Sequence, residues 1–334
     1  MSEEDTDGEG ENEGLTYADA GVDIEESEAA TAALVGAVGA AGEGTDSDYA
    51  GLLDIGDRYL ALATDGVGTK LLVAEALSDY STVGIDCIAM NANDLVAAGV
   101  RPVAFVDYLA VDEPNEVFAQ QVGEGLARGA EAANIELVGG ETAVMPEVVR
   151  GLDLAGTCAG LAAKDAVFEG SAAAGDVLVG WPSSGIHSNG LTLARQAVTR
   201  EYDYTDEYPG DRYETVGHAL LEPTQLYTNL LTPMREHGVR AAAHVTGGGW
   251  TNLERLGEFH YEITAPCPAD EVFEFVQDLG DISDEEMHRT FNMGTGFVAA
   301  LAPEDAEALA EATDGRIIGE VQEGTGVAVR GLEL

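Results

Sequence analysis

Lysine is nearly missing from this chain of 334 residues, where Lys70 and Lys164 are the only two. Fifteen basic residues face sixty-two acidic ones, for a formal net charge of −47 at pH 7. No basic stripe exists to neutralise phosphates, so nucleic acid is excluded as a partner. Cysteine is as sparse: Cys87, Cys158 and Cys267 are odd in number, far apart and free of C-x-x-C spacing. That excludes a disulfide framework and gives no zinc pattern, so buried thiols are expected. No apolar run approaches the roughly 18 residues that span a bilayer. The opening MSEEDTDGEGENEG lacks the charged-then-apolar pattern of a signal peptide. The expectation is a soluble, cytoplasmic protein with no membrane partner.

What is present explains part of the imbalance. Such a charge makes a compact domain repel itself in ordinary buffer, yet 45% of the residues are apolar and long segments are periodic, which argues against disorder. Molar salt shortens the Debye length to about 3 Å and removes most of the repulsion. The acidity therefore reads as a halophilic adaptation of the whole surface and not as a binding signal.

Residues 1–14 form an acidic tail with nothing to bury and are expected to be disordered. Asp23 can cap a helix running through Ala40. Extended segments are predicted at 59–64, 103–109, 135–138 and 152–162, with helices over 83–98 and 113–133. Small residues interrupt the periodicity near 163–175. A strand over 176–181 and a helix over 191–199 then restart the pattern, followed by a polar, tyrosine-rich excursion at 201–212. Runs of both types without strict βαβ alternation predict a two-domain α+β protein, with domains 15–165 and 173–334, over a doubly wound sheet.

Residues 64–70 read TDGVGTK. A Walker loop needs its lysine directly after glycine, but Lys70 follows Thr69. What remains is Asp65, the glycines Gly66 and Gly68, a hydroxyl and a cation, a plausible cradle for Mg-nucleotide; the plain alternative is a solvated loop lysine. Downstream, Asn91 and Asp94 lie three apart and share a helix face. Apolar neighbours suggest that Asp94 is buried, where a carboxylate wants a cation, so Asp65 and Asp94 are Mg²⁺ candidates; a capping or salt-bridged aspartate is the alternative. The stretch VGGETAVMP places Gly140, Glu141 and Thr142 after a strand, either facing a cleft or forming an ordinary tight turn.

In the second half, SSGIHSNG follows a strand and opens a helix. Ser183, Ser184, Gly185 and Ser188, with Asn189 and Gly190, bring amides and hydroxyls to a helix N-terminus suited to a phosphate monoester. His187 within it is the best general acid/base candidate of the six histidines, though a lone loop histidine is usually structural. HVTGGGW brings Thr246 and the glycines Gly247, Gly248 and Gly249 after His244. Each glycine costs ~1 kcal/mol of backbone entropy, which close approach of a ligand would explain. GTGFVA at 294–299 matches a dinucleotide fingerprint in letters only, since a short apolar strand pattern and no helix follows, and it is assigned to a turn.

In this order, LTYADAGVDI, TDGVGTKL, GIDCIAMNANDLVAAG, FVDYLA, LVGGETAVMP, SSGIHSNG, HVTGGGWTN and RTFNMGTGF closely resemble the phosphoribosylformylglycinamidine cyclo-ligase family, the aminoimidazole ribonucleotide synthetases, over residues 15–300. The acid-and-lysine loop is shared with a wider ATP-using superfamily that includes formylglycinamidine synthase, selenophosphate synthetase, the hydrogenase-maturation dehydratase and thiamine-monophosphate kinase. The resemblance implies a homodimer whose N-terminal sheets pair into a barrel, with ATP near that interface and a C-terminal α+β domain closing the cleft. It implies Mg-ATP at Asp65, Lys70, Asp94 and Glu141, and formylglycinamidine ribonucleotide at the 183–190 loop and the 246–249 turn. His187 and His244 would be near the chemistry. The chain departs from the family where ALVGAVGAAGEG and YAGLLDIG replace stretches that usually carry basic residues and a glycine- and phenylalanine-rich segment. Lys70 is thereby left with more of the phosphate charge, and potassium is expected to substitute in part.

Overall fold

The computed structural model describes residues 14–22, 24–38, 45–46, 49–168 and 170–334. The acidic tail before Gly14, the Asp23 cap and the end of the first helix at Ala40 lie outside the described residues; that helix, α1, spans Ile24–Val38.

Six strands build the first sheet: β1 (Thr45–Asp46), β2 (Gly51–Asp54), β3 (Arg58–Gly66), β4 (Arg101–Val111), β5 (Glu136–Val144) and β6 (Leu152–Ala163). Their order is β1-β2-β3-β6-β4-β5. Among the described residues only β4 and β5 run parallel in this sheet, joined through helix α4 (Glu116–Ala133), a crossover of the kind parallel neighbours require. Asn115 caps α4 by accepting from the amides of Val117 and Phe118, and Asn134 ends it in the left-handed region. Strand β5 runs beyond the expected stop at 138, because pairing with β4 as far as Val111 carries it through both glycines to Val144. The tight-turn alternative for Glu141 therefore fails. One sheet face is covered by α3 (Val83–Ala97), whose Cys87, Ile88, Ala92 and Leu95 are wholly buried. The opposite face leaves Leu62, Val106, Tyr108 and Val138 exposed. The sheet is open, with no closed barrel among the described residues of the single chain.

Residues 164–176 contain no described strand or helix. Beyond them a seven-stranded sheet forms from β7 (Val177–Pro182), β8 (Ala241–His244), β9 (His260–Ile263), β10 (Thr295–Leu301), β11 (Arg316–Gln322), β12 (Gly326–Val329) and β13 (Leu332–Glu333). The order is β13-β12-β9-β11-β7-β10-β8, with β9 and β12 the one parallel pair. Every residue of β10 is buried, so the GTGFVA stretch, assigned from sequence to a turn, is strand from Thr295 onward, because pairing with both β7 and β8 extends it. The architecture is two-domain α+β with mixed sheets.

The domains share a core, in which Val96 and Ala97 of α3 cluster with Trp181 and Phe297 of the second sheet. The segment 15–22, assigned from sequence to the first domain, bonds to the second. Leu15 donates its amide to the Gly280 carbonyl at 3.1 Å, and Tyr17 donates its own to the Glu286 carboxylate at 2.7 Å.

Candidate functional site

The site forms where the end of β3, helix α3 and the end of β8 converge. Strand β3 delivers Asp65 on the face that α3 covers, and its carboxylate accepts from the Gly66 amide at 2.7 Å. Burial, then the negative charge of Asp94, pushes the Asp65 carboxyl up to about 6. Asn91, one turn before Asp94 on α3, donates its amide nitrogen to the backbone oxygens of Asp65 at 3.2 Å and Cys87 at 2.8 Å. Its side-chain oxygen is buried without a partner. Two hard carboxylates in electrostatic contact beside an unsatisfied acceptor suit a small divalent cation. Among the described residues no group of three or more His, Cys, Asp or Glu is gathered closely enough to hold a metal.

Glu141 does not join that pair. The cross-strand row Gly66, Ala155, Tyr108, Glu141 alternates with the row Asp65, Gly156, Asp107, Gly140, so Glu141 projects with Tyr108 from the other face. Thr142, like Glu141, is exposed. Asp107 is the acid that shares the face of Asp65, and burial raises its carboxyl.

Asp94 reaches across the domain boundary. Its carboxylate lies 2.9 Å from Nδ1 of the fully buried His244, whose Nε2 faces the Asn93 amide nitrogen at 3.4 Å. That nitrogen donates, so Nε2 accepts and the His244 proton sits on Nδ1 toward Asp94.

His187 is built differently. Its backbone is left-handed (φ 69°), and Nε2 receives the amides of Ser184 at 3.2 Å and Gln225 at 3.4 Å. Burial above all, then the charges of His244 and Lys70, depresses its basicity well below the usual histidine range. It is therefore a neutral ring with its proton on Nδ1, which is buried and unpartnered. The Ser183 amide is likewise spent, on the Gly294 carbonyl at 2.9 Å, so two amides expected to face a phosphate are already bonded. Asn292 clamps this loop, donating to the carbonyls of Gly185 at 3.0 Å and Ile186 at 3.2 Å.

The neighbouring turn touches the loop: a Cβ on Gly247 would stand 3.2 Å from the Asn189 side-chain oxygen. Gly249 has a packing reason instead, with φ of 52° and a Cβ position 2.3 Å from the His288 carbonyl. Thr246 donates amide and hydroxyl to the Asn252 side-chain oxygen at 2.7 and 3.2 Å. The glycine turn of the first domain meets the second directly, where the hydroxyls of Thr69 and Thr192 lie 3.0 Å apart. Lys70 begins α2 (Lys70–Leu77) and is wholly enclosed, its ammonium 2.9 Å from Asp86 and 2.6 Å from the Glu222 carbonyl. It is not the solvated loop lysine that the sequence left open.

Residues 47–162 match the AIR synthase related protein N-terminal domain, and residues 173–331 its C-terminal domain. The chain belongs to the AIR synthase related family. A phosphoribosylformylglycinamidine cyclo-ligase of Methanosarcina acetivorans is 46% identical over 326 residues, covering 95% of this chain and 98% of the relative. One from Pyrococcus horikoshii is 47% identical over 304 residues, covering 88% and 90%. Among solved structures, AaThiL complexed with AMPPCP and TMP superposes with a TM-score of 0.67 at 17% identity, covering 94% and 96%. T. maritima PurL complexed with ADP gives 0.58 at 17%, covering 87% of this chain and 45% of that one. At such identities the structural likeness is one of fold.

Within this AIR synthase related chain, the sequence motifs hold three residues whose place was not foreseen: Asp86, Asp107 and Asn292. Each stands inside a motif quoted for the resemblance. Asp86 and Asn292 are buried with polar partners drawn from distant segments.

Proposed function

We propose that this protein catalyses ATP-dependent closure of formylglycinamidine ribonucleotide to aminoimidazole ribonucleotide, releasing ADP and phosphate, as a cytoplasmic step of purine biosynthesis. The reading rests on the near-full-length likeness to cyclo-ligases, and the site has parts that suit the chemistry. An amide oxygen is a poor leaving group. Phosphoryl transfer to the formamide oxygen, with loss of ADP, converts it into a good one. The amidine nitrogen then bonds to the former formyl carbon, the carbon–oxygen bond breaks, phosphate departs and the nitrogen gives up a proton.

Asp65 and Asp94, with the Asn91 side-chain oxygen, would hold Mg²⁺, which when bound neutralises phosphate charge. The amides of Gly68 and Thr69 would approach the nucleotide, that of Gly66 being held by the Asp65 carboxylate. His244, held between Asp94 and the Asn93 amide, would keep the Asp94 carboxylate in place for the cation, and the depressed basicity of His187 suits it to a fixed hydrogen-bonding role beside the substrate. The 183–190 loop and the 246–247 turn would bind the ribose phosphate. Holding nitrogen and carbon together can supply a large part of the ~7–11 kcal/mol available from effective molarity.

The exposed apolar face of the first sheet, with Leu62, Val106, Tyr108 and Val138, suits pairing with a second copy to close a barrel, with Gly140, Glu141 and Thr142 on the strand beside it. Sedimentation at molar salt is expected to give twice the chain mass; a monomer at working concentration removes the pairing. The net charge of −47 suits activity in concentrated potassium chloride.

The test is turnover in molar KCl with Mg-ATP and formylglycinamidine ribonucleotide, following ADP, phosphate and the aromatic amine together. Equal yields of the three are expected. ADP without amine from a folded protein would overturn the substrate assignment.

A further inference from the structure

We infer that Lys70 and Asp86 are positioning residues whose buried ion pair, acting through Thr224, fixes the 222–225 segment beneath the 183–190 loop and so sets where the ribonucleotide sits, while Lys70 makes no contact with the nucleotide. The inference rests on the substrate reading above.

Neither side chain has any exposed surface, and Lys70 spends its ammonium on Asp86 and on the Glu222 carbonyl. The same oxygen of Asp86 also accepts the amide and hydroxyl of Thr224, both at 2.7 Å. A threonine hydroxyl has one proton. Because it goes to Asp86, the Ser188 hydroxyl 3.2 Å from Thr224 must be the donor in that contact. The charge pair thus dictates hydrogen-bond direction two residues away, inside the substrate loop.

The rest of the segment repeats the connection. Pro223 takes the Ser184 hydroxyl on its carbonyl at 2.6 Å. Gln225 gives its amide to His187 and takes the Asn93 side-chain amide on its carbonyl at 2.9 Å. Every residue from 222 to 225 therefore bonds the first domain, the loop, or both. Buried ion pairs contribute little net stability over apolar replacements, and their best-attested use is to fix register. Here the register is that of the loop relative to α2 and α3.

Thr224→Val tests this, because it keeps shape and leaves the ion pair in place. The KM for formylglycinamidine ribonucleotide is expected to rise about tenfold, with the Kd of AMPPCP, measured by calorimetry, within about twofold of the unmodified protein. Thr224→Ser should restore the KM. An unchanged KM, or an equal loss of AMPPCP affinity, would overturn the inference. A second arm replaces both partners, Lys70→Met with Asp86→Asn. Its AMPPCP affinity should stay within about threefold, whereas a phosphate-binding lysine predicts a loss of about tenfold or more. If the unmodified protein binds AMPPCP but forms no amine, the substrate reading has failed. The AMPPCP arm then still decides what Lys70 does.

Discussion

Asp94 and His244 meet at 2.9 Å although they belong to different domains, which makes the imidazole of one domain dependent on a carboxylate of the other. Replacing the carboxylate by an amide removes the acceptor that holds the ring proton on Nδ1. Asp94→Asn and His244→Asn are each expected to lower kcat about 10²-fold. The double variant should be little worse than either single one, since the pair acts as a unit. Steady-state kinetics of the three variants checks this, and additive losses would separate the roles.

Asp65 stores a cost that a cation would relieve. Its carboxyl rises from 3.8 to about 6, so the folded protein binds more protons than the unfolded chain between those values. Stability from this group is full below pH 3.8 and falls as pH rises through about 6. The cost of ionising it is on the order of 3 kcal/mol. Asp65→Asn should therefore raise the melting temperature at neutral pH in the absence of Mg²⁺ while abolishing turnover. Magnesium binding near pH 6 should release a proton, measurable by calorimetry in buffers of different ionisation enthalpy.

His187 acts with the opposite sign. Its basicity is depressed below 6.5, so the unfolded chain takes up its proton first and stability is lost as pH falls below that value. The ring should show no titration by NMR across the usual histidine range. His187→Asn tolerates the left-handed backbone and should flatten the acid-side loss of stability.

Salt dependence should be steep. With 62 acidic side chains against 15 basic ones, self-repulsion at low ionic strength opposes the compact state. Thermal unfolding followed from 0.1 to 3 M KCl, where the screening length drops from about 10 Å to below about 3 Å, should give a rising midpoint. A flat midpoint would show that the acidic surface carries no such penalty.

The local patterns of this chain were legible and the long-range bonds were not. The glycine turn, the Asn91 and Asp94 face of one helix and the break near residue 163 follow from spacing within a few residues. By local pattern β5 ends at 138, where adjacent glycines resemble a turn, and only pairing with β4 overrides that preference. Asp86 stands in the first turn of α3, where an acidic residue needs no more explanation than the helix dipole. Its true partners lie 16 and 138 residues away. The hydroxyls around His187 mark it in the sequence, yet the Gln225 amide that occupies its Nε2 comes from 38 residues downstream. No motif spacing contains that information.

The bond from Tyr17 to Glu286 spans 269 positions. During synthesis the leading segment has no seat until nearly the whole polypeptide has emerged, since its dock is built from residues close to 280 and 286. The first domain can assemble its sheet while the chain is still growing, whereas residues 15–17 are strapped down only by partners that emerge about 265 positions later.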